Sequence, residues 1–121
     1  MGSNKSYKDL DAWQAAMSVA EQCYLVTKSL PQSEQYGLTA QMRRAAVSVA
    51  ANIAEGHQKT RAGYVNHVQI ALGSLAELET QLELAVRLTL LRAEPAHAAQ
   101  LAIDRAGQLL HGLLRSLRGS A

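Results

Sequence analysis

Apolar residues recur every three or four positions in four stretches of this chain, the spacing of one face of an α-helix. Over residues 10–30, Leu10, Trp13, Met17, Ala20, Tyr24 and Thr27 form such a stripe. Asp9 or Asp11 can serve the N-terminus of that helix, and Pro31 ends it. Over residues 34–55 the stripe is Leu38, Met42, Ala45 or Ala46, Val49 and Ile53. Gly37 in the first turn predicts a 3₁₀ start or close packing there, and Gly56 stands where a left-handed residue would close the helix. Residues 61–91 carry the longest seam, with Tyr64, Val68, Ala71, Leu75, Leu78, Leu82, Ala85 and Thr89 alternating steps of four and three. An unbroken alternation of that kind is the mark of left-handed bundle packing. Over residues 95–118, Pro95 is suited to the first helical position, and Ile103, Ala106, Leu110, Leu113 and Leu117 repeat the seam. The connectors near residues 31–33, 57–60 and 92–94 are short, so neighbouring helices must run antiparallel. The expected fold is a single all-α domain, an antiparallel up-down-up-down four-helix bundle.

Composition narrows this picture without changing it. The chain has 121 residues, 48% of them hydrophobic but only 4% aromatic and none Phe, so its core must be built from aliphatic side chains and alanine. No apolar run approaches the ~20 residues that cross a bilayer, and the polar opening of the chain lacks a signal peptide's apolar stretch. These features predict a soluble cytoplasmic protein with no membrane partner. Several apolar residues of the third helix lie off its seam, including Val65, Ile70, Leu72, Leu84, Val86, Leu88 and Leu90. A helix apolar on two sides predicts a second partner outside the monomer, and hence self-association; the alternative is a wider seam within a slightly bulkier monomer.

Candidate chemistry is sparse. Glu94 and His97 have the Glu-x-x-His spacing of di-iron bundles, but the motif occurs once, at a helix start. His57, His67, His97 and His111 show no ligand-pair spacing, and Cys23 stands alone among apolar neighbours. No metal or cofactor is expected. No phosphate loop or nucleophile motif occurs either, so the chain is expected not to be an enzyme. Arg44, Ser48, Asn52 and Glu55 follow one another along the side of the second helix beside its apolar stripe. Ser and Asn are indifferent helix formers, so their presence mid-helix needs a reason. A partly buried network with Glu77 or Glu79 of the third helix is the preferred one, and a ligand site is the alternative.

Residues 37–56 read GLTAQMRRAAVSVAANIAEG, a run that resembles the hallmark of the 23S rRNA intervening-sequence protein family. Asp9-Leu10 with Trp13, Leu30-Pro31 with Glu34 and Tyr36, Ile70-Ala71, and GSLAELET over residues 73–80 agree in order. The likeness spans roughly residues 7–91, leaving the last helix with apolar periodicity only. It implies a small bacterial four-helix bundle that assembles as a homopentamer. The family in turn resembles the basic accessory proteins of diversity-generating retroelements, which bind nucleic acid and a reverse transcriptase.

Net charge is only +2, but the cations are clustered. Arg43, Lys59, Arg61, Arg115 and Arg118 are the expected phosphate contacts of an RNA- or DNA-binding oligomer, with Arg44 joining them if it is free of the internal network. The competing expectation is a scaffold for a protein partner, akin to a reverse-transcriptase accessory protein without direct nucleic-acid contact.

Overall fold

The computed structural model describes residues 6–119. Four α-helices follow one another, α1 (Asp11–Thr27), α2 (Leu38–His57), α3 (Arg61–Arg87) and α4 (Ala93–Gly119). Short 3₁₀ turns at Tyr7–Asp9 and Gln32–Glu34 precede α1 and α2. Each helix packs on two neighbours around a ring, α1 on α2 and α4, and α3 on α2 and α4, while the diagonal pairs do not bring their backbones close. With the short connectors this is an up-down-up-down antiparallel bundle.

The helix limits are set by local chemistry that periodicity does not register. Neither Asp9 nor Asp11 caps α1; Leu10 occupies the cap position with no side-chain bond, and Gln14 Nε2 ties the helix back to the Lys8 carbonyl at 2.9 Å. That helix stops at Thr27, ahead of Pro31. The Thr27 and Ser29 hydroxyls donate to the Cys23 and Val26 carbonyls, both at 2.7 Å, and so satisfy the end of the helix. Gly37 is the N-cap of α2, whose first turn is α-helical; the 3₁₀ turn lies ahead of it at Gln32–Glu34, and Glu34 Oε1 accepts from the Leu38 amide at 3.2 Å.

Helix α3 ends at Arg87, short of Leu91. Thr89 takes the left-handed conformation at φ 57°, while the Leu90 amide reaches Ala85 O at 2.9 Å and the Thr89 amide reaches Val86 O at 3.0 Å. This is a Schellman closure with threonine where glycine is usual. Pro95 is the third residue of α4 rather than the first, where its missing N–H still has no intrahelical carbonyl to bond.

The core also corrects the stripe read for α1. Ala20 and Thr27 of the expected stripe are buried, but the rest of the buried line is Ala12, Ala15, Ala16, Val19, Cys23 and Val26, while Leu10, Trp13 and Met17 flank the core and Tyr24 is exposed. The face is turned by about one residue because a closely packed bundle seats alanine at the helix crossing and moves bulky side chains to the flank. The core is completed by Met42 and Ile53 of α2, Leu75, Leu78 and Leu82 of α3, and Ile103 and Leu110 of α4, all buried. The interior void among Val19, Met42, Leu78 and Ile103 is only about 10 Å³.

Candidate functional site

Two clusters of polar residues stand out once the helices are packed. The first is a seam between α2 and α3. Asn52 Nδ2 donates to the Ser48 carbonyl at 2.9 Å and to Ser48 Oγ at 3.0 Å, turning its Oδ1 toward His67 Nδ1 at 2.9 Å. An amide oxygen only accepts, so His67 carries a proton on Nδ1 and presents Nε2 to Glu55 Oε2, 4.0 Å away. Ser48 Oγ meets Ser74 Oγ at 2.8 Å. The chain of contacts is Ser74–Ser48–Asn52–His67–Glu55, and it straps α2 to α3 along the edge of the core.

Of the six residues expected in this network, Ser48, Asn52 and Glu55 come together, joined by two partners the sequence reading passed over, His67 and Ser74. Arg44 and Glu77 only line a shallow opening outside the seam with Gln41, Ser48 and Ser74, of about 210 Å³. Glu79 cannot join it. Five residues beyond Ser74, it is turned by about 140° on a helix of 3.6 residues per turn. There it accepts from Gln100 Nε2 of α4 at 2.7 Å. The missed signal was the seven-residue spacing of His67 and Ser74, which matches that of Ser48 and Glu55 on the facing helix.

Chemically the seam fastens rather than activates. His67 has an amide on one nitrogen and a carboxylate near the other, and no hydroxyl or thiol bonded to it, so it lacks the nucleophile–base pairing of covalent catalysis. Gly56 lies beneath it, inside α2 and not in a left-handed conformation. A Cβ at Gly56 would lie 2.7 Å from His67 Cβ and 3.0 Å from Tyr64 Cδ1. Glycine is therefore required there by contact between helices, not by the helix terminus.

The second cluster is cationic and gathers at one end of the bundle. The antiparallel order brings the α2–α3 turn, the end of α4 and the start of α1 together, and Tyr7 packs edge-on against both Trp13 and His57 at this end. Lys59 and Arg61 on the turn, Arg115 and Arg118 on α4, and Lys8 beside Tyr7 are all exposed here. The neighbouring carboxylates are Asp9, Asp11 and Glu55. His57 is half-buried between Tyr7 and Tyr64, and burial raises the Tyr64 hydroxyl above its ordinary pKa.

Arg43 does not belong to this end. Fourteen residues before the end of α2, it lies about 20 Å away along the helix. Its guanidinium covers the Tyr24 ring at 4.4 Å, and its Nε donates to Thr27 Oγ1 at 2.9 Å, bracing α1 against α2. Cys23, buried nearby, has its thiol pushed up to about 11 by loss of solvent, which the Arg43 charge only partly offsets. That keeps it a neutral core residue. Glu94 and His97 are both exposed on α4, and no three His, Cys, Asp or Glu side chains converge as metal ligands among the described residues. No described helix is long and apolar enough to cross a membrane.

The fold, the strapped α2–α3 seam and the cationic end define a small antiparallel four-helix bundle whose α2 motif is structural as well as recognisable. The chain belongs to the 23S rRNA-intervening sequence protein family, whose profile matches residues 8–112. A crystal structure from Bacteroides thetaiotaomicron VPI-5482, described as a protein with unknown function from the S23 ribosomal protein family, shares the fold. It aligns with a TM-score of 0.79 at 24% identity, covering 86% of this chain and 95% of that one. No curated protein matches the sequence.

Proposed function

We propose that this protein is a self-associating, non-enzymatic nucleic-acid-binding bundle that grips phosphates through the cationic end formed by Lys59, Arg61, Arg115 and Arg118. The observation that carries the reading is the convergence of cations from the α2–α3 turn and the end of α4, more than fifty residues apart in sequence, on one end of the bundle. Phosphate contacts of this kind act by charge and release counterions, so their strength falls steeply with salt. The mild net charge of one chain is multiplied when copies assemble.

Self-association is supported by apolar side chains left uncovered on two faces. Val47 on α2 is 46% exposed, beside Ala51, and Ile70, Leu84 and Leu88 of α3 are 44–55% exposed. The homopentamer implied by the family resemblance is the assembly proposed. Neither the family description nor the Bacteroides structure assigns a reaction, and the seam's His67 bonds an amide rather than a serine hydroxyl, so binding is favoured over catalysis.

The test is fluorescence anisotropy with structured RNA and duplex DNA across a salt series, on protein whose mass is known from light scattering. Binding should weaken steeply as salt rises. Replacing Lys59, Arg61, Arg115 and Arg118 together by alanine should flatten the slope by roughly one unit per phosphate contact removed. Arg43→Ala should leave the slope unchanged. No binding at low salt would refute the reading.

A further inference from the structure

The α2–α3 seam is closed, but on its other side α3 parts from α4. Between them runs a groove of about 730 Å³, floored by Leu72, Leu75 and Ile103. It exists because the positions that would fill it are small. A Cβ on Gly107 would meet only Leu75 Cδ2 at 3.5 Å. Ala76 forms the low wall on α3.

The two ends of the groove carry opposite charge. At one end Gln100 Nε2 donates to Glu79 Oε2 at 2.7 Å and to Asp104 Oδ1 at 2.8 Å, holding two carboxylates side by side. At the other stand His111 and Arg115. Among the described residues, no cation of the chain pairs with Glu79 or Asp104, and no carboxylate pairs with Arg115. Both ends are thus left with unmatched charge over an apolar floor. From Asp104 to Arg115 along α4 is about 16 Å, or three turns of helix.

We infer that this groove is a docking site for an amphipathic helix of a partner protein. That helix carries a Lys or Arg that enters between Glu79 and Asp104, and a carboxylate about three turns away that meets Arg115, with aliphatic residues between them on Leu72 and Leu75. A helix laid between two antiparallel helices can seat its ridge in their groove, and the charges at the ends set its direction and select the partner. Nucleic acid is disfavoured as the occupant because two adjacent carboxylates repel a phosphate backbone. The inference stands independently of the nucleic-acid reading, since only Arg115 is common to both surfaces.

The test uses the full chain, labelled with ¹⁵N, and a synthetic helical peptide of about 18 residues, roughly 27 Å long. The peptide bears Lys at one end, Glu eleven residues later and leucines between; a control exchanges Lys and Glu. The first peptide should shift the amides of Leu72, Gly107 and Arg115 and bind about 10-fold more tightly than the control. Gly107→Leu should fill the groove and weaken binding by about 10-fold or more. Should that variant fold poorly, Glu79→Lys with Asp104→Lys should invert the preference between the two peptides. Lys59→Ala with Arg61→Ala should leave peptide binding intact even where it abolishes binding of RNA. Equal affinity for both peptides, no binding, or shifts confined to α1 and α2 would overturn the inference. So would a fall in assembly mass with Gly107→Leu, which would make a second copy the occupant, or displacement of the peptide by RNA.

Discussion

The two flanks of α3 use glycine in opposite ways. On the α2 side, Gly56 lets two helices approach until a single added carbon would collide with His67 and Tyr64. On the α4 side, Gly107 stands back and leaves a groove. The tight flank is also the one strapped by hydrogen bonds, through Ser48, Asn52, His67 and Ser74, whereas the open flank is bridged by the amide of Gln100 at one end. A missing side chain thus closes one interface and opens the other. The difference lies in what faces it, an aromatic and an imidazole in one case and the end of a leucine in the other.

This contrast can be broken by substitution, and the largest effect is expected at the closed flank. Gly56→Leu should destabilise the fold by on the order of 3 kcal/mol through overpacking, measured by denaturant unfolding at fixed protein concentration. A loss below about 0.5 kcal/mol would mean that α2 and α3 are not held as closely as described.

Asn52→Ala comes next, with an expected loss of about 1–2 kcal/mol, because it strands His67 Nδ1 and removes two bonds to Ser48. A double-mutant cycle with His67→Ala should show that the pair is coupled; independent losses would dissolve the strap into separate surface contacts.

At the corner where α3 turns toward α4, Thr89→Gly should stabilise by about 1 kcal/mol, since a β-branched residue at φ 57° is sterically disfavoured. The smallest change is expected in the groove. Gly107→Ala should raise stability by about 0.5–1 kcal/mol, because the new methyl group meets only ordinary contact and the helix loses a flexible residue. A loss instead would mean that the groove is more tightly lined than its geometry indicates.

The α3 pattern from Val68 to Ala85 was legible residue for residue, since each of its positions on the expected seam is buried. The α1 pattern was less so. Trp13, Met17 and Tyr24 weigh more in a hydrophobic count than alanines do, yet the alanines line the crossing because only small side chains let the helices meet there. The polar seam was half visible. Ser48 and Asn52 advertised themselves as poor helix formers, but their partners sit on another helix, and a side chain's bonding partner is set by packing that no local spacing encodes.

Periodicity, connector length and the motif over residues 37–56 by themselves determined that this chain is a four-helix antiparallel bundle, and of which family. These are properties of near neighbours along the chain, and the physics of a helix face is written in steps of three and four. Only the tertiary structure decided that Gly56 serves contact rather than helix termination and that Arg43 braces α1 against α2. It also decided that Lys59, Arg61, Arg115 and Arg118 share one end, and that Glu79 looks toward α4. Each of those outcomes depends on which residue of a distant helix lies opposite, and that is known only when the helices have packed.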